Sequence, residues 1–560
     1  MKGLALKITK HFVTVGQRRV HYLRAGQGPA VAMLHASPCS SKVMRPLMEI
    51  FAQKFTCFAF DTPGFGLSDP LPNDSPSVED FADALADTLG VLGIEQVATY
   101  GRHTGASIAV EFAARHPGLC CMALADGFAV FAKAYSPKEL ELYLEPIVPQ
   151  WDASHILRLW FRYRDQHVFW PWNKQFDANR SDTDVPDLDF LHRGVVELLQ
   201  AGDGYRVGYA APFRHRALGV VPDLKVPVCF GNRPGDSMYL TRHLYPPSVW
   251  MSDVPRDFEA ASLHEMDLLA RHPARSAVPE PVPCQPLPKR LQEAYVDFEG
   301  AQLAVRSSGA WSSATPVVLL HHAPGSSRLY EAAMLAIGAQ HPVLAVDLPG
   351  HGESDPLPRN PQDHATWMRA VWHVLDHLGV KSAHLWGHQG GAALACAMAI
   401  QCPERVVSVT LDAPMWADEP MREQMLRHGI PDVNPSWEGA HWLRAWHHTR
   451  DAELWWPWFD RRETQRKPQP SQIDPIQLNL RVLEAMKQPA SYAAAWRVHW
   501  TFDWLGQLPL VKAPLLCTTA ATDTYAHLSL NPPGPLKAVM PTQSDRHLDV
   551  LCQWWQKNNH

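Results

Sequence analysis

The sequence predicts two copies of an α/β fold, each with a mostly parallel sheet flanked by helices. An internal repeat and a strand-turn-helix alternation support this prediction. Residues 58–72 read FAFDTPGFGLSDPLP, and residues 344–358 read LAVDLPGHGESDPLP, an offset of 286 residues. The same offset relates GRHTG at 101–105 to GHQGG at 387–391. A repeat that keeps its register over this distance predicts one folding unit written twice.

Short apolar runs that end in turns indicate buried parallel strands, and apolar positions at helical spacing indicate the helices between them. In the first copy we predict strands over 30–34, 55–60, 97–100 and 226–230 and helices over 78–92 and 106–115. In the second copy we predict strands over 317–320, 343–346, 383–386 and 514–518 and helices over 366–378 and 392–400.

A proline-rich stretch separates the copies. Residues 273–288 read PARSAVPEPVPCQPLP, which favours an extended spacer without a core of its own. We therefore predict a first domain over residues 1–272, a linker over 273–291 and a second domain over 292–560.

Composition narrows the function classes. The chain has 46% hydrophobic and 19% charged residues, a globular composition, and 51 basic against 57 acidic residues give a formal net charge of −6. This balance argues against nucleic acid or an anionic membrane as a partner and favours a small-molecule substrate. No signal-like or spanning segment is evident, so we expect a cytoplasmic protein, and the charge pattern leaves oligomerisation open.

Three motifs occur in both copies in the same order. They are the His-x-x-Pro loop at 35–38 and 321–324, the Asp-x-Pro-Gly-x-Gly-x-Ser turn at 61–68 and 347–354, and the glycine-flanked elbow at 101–105 and 387–391. Together they resemble the α/β-hydrolase superfamily, and in particular its capped branch of epoxide hydrolases, dehalogenases and carbon–carbon bond hydrolases.

This resemblance implies two α/β-hydrolase domains in tandem. It also implies a helical cap in each domain, for which the tryptophan- and arginine-rich stretches at about 131–216 and 416–504 are the candidates. Such caps cover the pocket, so Trp170 is a candidate substrate-binding residue.

The residue at the centre of each elbow departs from the family pattern. The turn presents a nucleophile in similar proteins, but here it carries His103 in the first copy and Gln389 in the second. Glutamine is a very poor nucleophile, which leaves Gln389 only hydrogen bonding. An imidazole titrates near neutral pH and could serve His103 as base, nucleophile or metal ligand.

The family order of acid and then histidine selects the remaining catalytic candidates. In the first copy they are Asp236 and His264, and in the second Asp523 and His547. An Asp–His dyad is a general base of near-neutral pKa without help from a nucleophile. Alternative acids follow the preceding strand in each copy, at Asp126 and Asp412.

The resemblance also assigns oxyanion donors and substrate contacts. The oxyanion hole is predicted from the backbone N–H groups of Ser37, Thr104, Ala323 and Gly390. Further candidates for substrate binding are Arg102, His35 and His322, with Arg102 suited to a carboxylate.

Several functions remain open at this stage. The first is an enzyme centred on His103 that hydrolyses an ester, thioester or carbon–carbon bond of a small apolar or aromatic carbonyl compound. A lyase, or a cofactor-free oxygenase using the dyad as base, is an alternative, as are a site in the second copy and a non-catalytic binding or assembly protein. No cofactor is expected, and a metal on His103, His264 and Asp236 is a minor alternative.

Overall fold

The computed structural model describes residues 7–309, 315–467, 473–529, 538–539 and 546–559. The chain forms two compact units. The first comprises residues 1–148 and 158–285, and the second comprises residues 149–157 and 286–560. Each unit contains one eight-stranded sheet.

In the first unit the strand order is β1-β2-β4-β3-β5-β6-β7-β8. β1 and β2 form an antiparallel hairpin, β2 pairs antiparallel with β4, and the remaining neighbours are parallel. The strands are β1 Thr9–Val15, β2 Arg18–Ala25, β3 Ala30–Leu34, β4 Thr56–Phe60, β5 Val97–Arg102, β6 Cys120–Asp126, β7 Val228–Asn232 and β8 Trp250–Asp253.

The second unit repeats this topology, with the order β9-β10-β12-β11-β13-β14-β15-β16 and the same distribution of antiparallel and parallel pairs. The strands are β9 Gln292–Phe298, β10 Ala301–Ser308, β11 Val317–Leu320, β12 Val343–Val346, β13 Ala383–His388, β14 Val406–Asp412, β15 Leu515–Thr518 and β16 Ala538–Val539.

Helices flank both sheets, and four or more lie between the sixth and seventh strands of each unit. In the first unit they are α1 Arg45–Phe51, α2 Val78–Val91, α3 Thr104–Arg115, α4 Pro137–Tyr143, α5 Ser154–Asp165, α6 Leu188–Ala201, α7 Tyr205–Arg214 and α8 Phe258–Leu269; part of α5 belongs to the second unit. In the second unit they are α9 Glu331–Gly338, α10 His364–His377, α11 Gly390–Gln401, α12 Glu419–His428, α13 Ala440–Asp451, α14 Pro475–Met486, α15 Pro489–Trp500, α16 Trp504–Gln507, α17 Ala526–Ser529 and α18 His547–Lys557.

The central parallel strands are buried on both faces. All five residues of β3 and of β4 are buried, as are all four of β11 and of β12. Apolar side chains from these strands and from the flanking helices form the core of each unit, which is why the strands read as continuous apolar runs in the sequence.

The predicted fold class is confirmed. The two sheets fit two α/β domains in tandem, and each predicted central strand and helix lies within a few residues of its observed bounds. The sequence reading did not include the antiparallel hairpins β1-β2 and β9-β10. The second is joined by Glu299 and Gly300, both at positive φ (46° and 86°), as a tight primed turn requires. Among the described residues, no helix combines the length and apolarity needed to cross a membrane.

Candidate functional site

His103 and Gln389 each occupy a sharp turn between a strand and a helix. His103 lies between β5 and α3 with φ 50° and ψ −109°, and Gln389 lies between β13 and α11 with φ 49° and ψ −115°. Non-glycine residues rarely adopt this region, and the surrounding structure must hold them there. The two copies therefore keep the strained elbow although neither carries a hydroxyl, thiol or carboxylate nucleophile.

The glycines around the first elbow are required by close packing. A Cβ atom on Gly101 would collide with the carbonyl group of Gly105, and one on Gly105 would collide with the carbonyl oxygen of Leu34. The helix α3 can therefore begin directly against the end of β3 only because both positions lack a side chain.

His103 pairs with Asp236. Its Nε2 atom lies 3.0 Å from Asp236 Oδ2; the His103 side chain is 32% exposed, whereas that of Asp236 is 7% exposed. Burial alone would raise the pKa of Asp236, but the neighbouring His103 and Arg102 outweigh burial and hold this pKa well below its usual range. A charged carboxylate on Nε2 leaves Nδ1 as the nitrogen that can accept a proton.

His103 faces a cavity of about 420 Å³ in the first unit. This volume lies in the range of small-molecule sites. Its wall is rich in aromatic rings, supplied mainly by the helices between β6 and β7. They include Phe131, Tyr163, Trp170, Phe190, Phe213 and Phe258.

A buried group of charges lies beside the dyad. Arg233 donates to Asp126 at 2.9 Å and to Glu265 at 2.9 Å, and all three side chains are at most 13% exposed. Arg102 contacts Asp126 at 3.7 Å. Burial and the nearby Asp126 raise the pKa of Glu265 to about 8. Glu265 is therefore largely protonated at neutral pH although it contacts Arg233.

Replacing Glu265 with Gln is expected to make the stability of the first unit less dependent on pH. The folded pKa is about 8 and an unfolded glutamate titrates near 4.5, so the protonated form stabilises the fold below pH 4.5 and this contribution is lost as the pH rises to 8. Between pH 6 and pH 9 the melting temperature of the wild type should therefore fall more steeply with rising pH than that of the Glu265→Gln variant. Melting temperatures that fall equally with pH in both proteins would contradict the raised pKa of Glu265.

The oxyanion candidates of the first unit are available for a ligand. Ser37 and Thr104 both line the cavity, and neither backbone N–H donates to another described residue. Thr104 is also the first residue of α3, where backbone N–H groups have no partner within the helix. A developing negative charge on a carbonyl oxygen would find donors here.

Beside the oxyanion candidates of the second unit, the part of the chain that the structure describes leaves little space. The space beside Ala323, Gly390 and His499 measures about 10 Å³, which is at the lower limit for one water molecule. The backbone N–H of Gly390 donates to Nδ1 of the half-buried His322 at 3.4 Å, so an imidazole occupies this predicted oxyanion donor. The first copy has Ala36 at the position of His322, and Ala36 lines the open cavity.

Polar groups around the second elbow satisfy one another. Asp523 accepts from Gln389 Nε2 at 3.1 Å and lies 3.1 Å from His388 Nε2, while His388 Nδ1 lies 3.0 Å from the Tyr330 hydroxyl. Among the described residues, both ring nitrogens of His388 have a partner, whereas the contact of His103 with Asp236 uses Nε2 only.

Comparison with known proteins agrees with this geometry. The family model described as alpha/beta hydrolase fold matches twice, over residues 29–199 and 315–440. The chain belongs to the alpha/beta hydrolase family. The two matches fall on the two sheets described above, and each includes one elbow.

Hydrolases and an acyltransferase component are among the relatives of this alpha/beta hydrolase. It is 36% identical over 121 residues to the dihydrolipoyllysine-residue acetyltransferase component of an acetoin cleaving system from Pseudomonas putida, covering 21% of this chain and 32% of that protein. It is 29% identical over 140 residues to a proline iminopeptidase from Heyndrickxia coagulans, covering 23% and 47%. The chain thus spans between about a third and a half of the length of these relatives.

The crystal structure of E-2-(acetamidomethylene)succinate hydrolase is similar to one half of the chain. It has a TM-score of 0.36 and 18% sequence identity, and the match covers 47% of this chain and 97% of that protein.

The predicted pairing of Asp236 with His264 is corrected by the structure. Asp236 contacts His103 instead, and His264 Nε2 lies 2.8 Å from Ser252 Oγ. The reason is the phase of α8, because Phe258, Ser262 and Glu265 line the cavity from one face of this helix. His264 lies on another face, where it contacts Ser252 of β8.

The predicted pairing of Asp523 with His547 is corrected in the same way. His547 Nε2 lies 2.9 Å from Asp412 Oδ1, so the histidine uses the acid after β14 that the sequence offered as an alternative. His547 is the first residue of α18, where it can reach the end of that strand. Asp126 in the first unit contacts Arg233 and Arg102 and no histidine.

Two predicted substrate-binding histidines have structural roles. His35 is buried, accepts from the backbone N–H of Thr62 at 3.0 Å, and lies 3.0 Å from the carbonyl oxygen of Ala36, which fixes the loop after β3. His322 accepts from the backbone N–H of Gly390 in the second unit. Trp170 and Arg102 both line the first cavity, and their contact with a ligand stays a prediction.

The predicted metal set does not come together, since His264 is bound to Ser252. Within the described ranges, the group of histidine and carboxylate side chains with metal-like spacing is Glu79, Glu111 and His215. In it, His215 already contacts Glu111 at 3.1 Å. This group is separate from the cavity lining.

Arg233 and Glu265 are not among the site residues predicted from the sequence. Arg233 follows β7 by one residue, in the same loop as Asp236, so its proximity to the site is indicated by the strand end. Glu265 directly follows His264, and the histidine is the residue type that the family order selects. His388 occupies the place of Arg102 in the repeat, which the sequence places beside the elbow, and it contacts Asp523.

Proposed function

We propose that the first unit is a hydrolase of small apolar or aromatic carbonyl compounds, with an ester or thioester as the simplest substrate. The observation that carries this proposal is the His103–Asp236 pair at 3.0 Å, open to a 420 Å³ cavity. Membership of the alpha/beta hydrolase family and the named hydrolase relatives support the reaction class.

His103 is the general base in this proposal. Asp236 holds Nε2–H, and Nδ1 removes a proton from water as the water oxygen bonds to the carbonyl carbon. The oxyanion that forms is stabilised by the N–H groups of Ser37 and Thr104. When the bond to the leaving group breaks, the imidazolium returns its proton to the leaving oxygen or sulfur, and a carboxylic acid and an alcohol or thiol are released.

The second unit, in this account, does not catalyse the reaction. The space beside its oxyanion candidates Ala323 and Gly390 measures about 10 Å³. Gln389 and His388 are both bound to Asp523, and His322 accepts from Gly390. These contacts support a non-catalytic, structural role for the second copy. They also favour the first of the two candidate active sites that the sequence offered.

Asp236→Asn is expected to lower kcat for hydrolysis of 4-nitrophenyl esters by about 100-fold or more, because an amide cannot stabilise the imidazolium formed on His103. The matched control is Asp523→Asn, the same change at the equivalent acid of the second unit. Release of 4-nitrophenol by full-length proteins measures both. Equal rates for Asp236→Asn and the wild type, or a loss confined to Asp523→Asn, would contradict the proposal.

A further inference from the structure

We infer that the substrate of the first unit is an aromatic carboxylate whose carboxylate group binds Arg102; this inference rests on the proposed function of the same cavity. Arg102 lines the cavity and its side chain is 43% exposed. Among the described residues, its closest ionic contact is the 3.7 Å approach of Nε to Asp126, which leaves the terminal nitrogens without a hydrogen-bond partner.

Apart from Asp184, which is exposed, the other charged side chains that line the cavity are already matched. Both Nε and Nη2 of Arg233 donate to Asp126 Oδ2, at 3.2 and 2.9 Å, and Nη2 also donates to Glu265. Asp236 is held by His103. Arg102 is thus the cation whose guanidinium fork is free to take two oxygens of an incoming anion.

The lining of the cavity selects the rest of the ligand. Phe131 stacks on Phe213 with ring centroids 5.0 Å apart, and Tyr163 stacks on Phe190 at 6.3 Å. These pairs and Trp170 present flat apolar surfaces around the site. A planar ring packs against such surfaces, whereas a second charged group would lose its hydration there without a partner.

The second copy provides an internal contrast. There the position of Arg102 is His388, which is bound on both ring nitrogens, by Asp523 at 3.1 Å and by Tyr330 at 3.0 Å. The unmatched cation therefore accompanies the open cavity and is missing from the corresponding position of the second copy. Arg102 also directly precedes His103 in the chain, and both line one cavity, so an anion bound there brings its substrate beside the proposed base.

Calorimetric binding of naphthalene-2-carboxylate and naphthalene-2-carboxamide to the full-length protein at pH 7 tests this inference. We expect the wild type to bind the carboxylate at least 10-fold more tightly than the amide. Arg102→Gln should remove this preference while leaving amide affinity unchanged, and Arg102→Lys should retain part of it. Arg158→Gln, at an exposed arginine paired with Glu145, is the matched control and should behave as the wild type.

Equal affinities of the wild type for the two compounds, or a carboxylate preference that survives Arg102→Gln, would overturn the inference. The proposed function fails by a different result, namely ester hydrolysis that is insensitive to Asp236→Asn. If the wild type shows no preference for the carboxylate but its hydrolysis still depends on Asp236, the aromatic carboxylate is rejected as the substrate. The proposed hydrolase function is then unaffected.

Discussion

Lowering the pH from 7.5 to 5 is expected to unfold the second unit before the first. The second unit holds several imidazoles that are buried or half-buried and have at most one hydrogen-bond partner among the described residues. Burial lowers the pKa of His351, His448 and His499 to about 3 and that of His364 to about 4. His499 has no hydrogen-bond partner on either ring nitrogen.

The direction follows from proton binding. An unfolded histidine takes up its proton near pH 6.5, whereas the buried one does so only near pH 3, so between these values the unfolded chain binds more protons. The free energy of unfolding therefore falls as the pH falls below 6.5. At pH 5 each such imidazole destabilises the fold by about 2 kcal/mol, and three of them together approach the total stability of a typical domain.

Differential scanning calorimetry at pH 7.5 and pH 5 measures this effect, and limited proteolysis with mass spectrometry identifies which unit opens. His499→Phe removes one of the buried imidazoles and keeps a ring between Trp496 and Trp500, so it should move the acid transition to lower pH. A second unit that melts at the same temperature at both pH values would refute the expectation.

Replacing His103 with Gln should lower kcat/KM for aryl esters by about 100- to 10,000-fold, the range expected for loss of a general base. The variant copies the residue of the second elbow, which tolerates glutamine at nearly the same φ and ψ. The fold should therefore persist, and circular dichroism and the melting temperature verify this.

Gln389→Ala is the companion variant for His103→Gln. It removes a hydrogen bond to Asp523 within the second unit and should leave the rate of hydrolysis unchanged. Hydrolysis that depends on Gln389 and not on His103 would transfer the active site to the second unit.

Much of the fold is readable from the sequence because its central strands are buried on both faces. The run over 30–34 and the run over 317–320 coincide with β3 and β11, and the glycines around residues 103 and 389 predict both elbows. The motifs also led to Asp236 and Asp523 as acids in contact with the elbows.

The partners of those acids could not be derived from residue order. His264 has the expected residue type and follows Asp236, but it lies two turns into α8, and the phase and start of that helix decide which side chain reaches the cavity. The contact of His322 with the Gly390 N–H in the second unit is likewise a result of packing and could not be derived from residue order.

A crystal structure of the full-length protein with an aryl phosphonate, which mimics the tetrahedral oxyanion of ester hydrolysis, tests the central claim most directly. We expect the phosphonate in the cavity of the first unit, with one oxygen within hydrogen-bond distance of the Thr104 N–H and another within reach of His103 Nδ1. A phosphonate bound beside Gln389, or bound in the first cavity with no contact to His103, would contradict it.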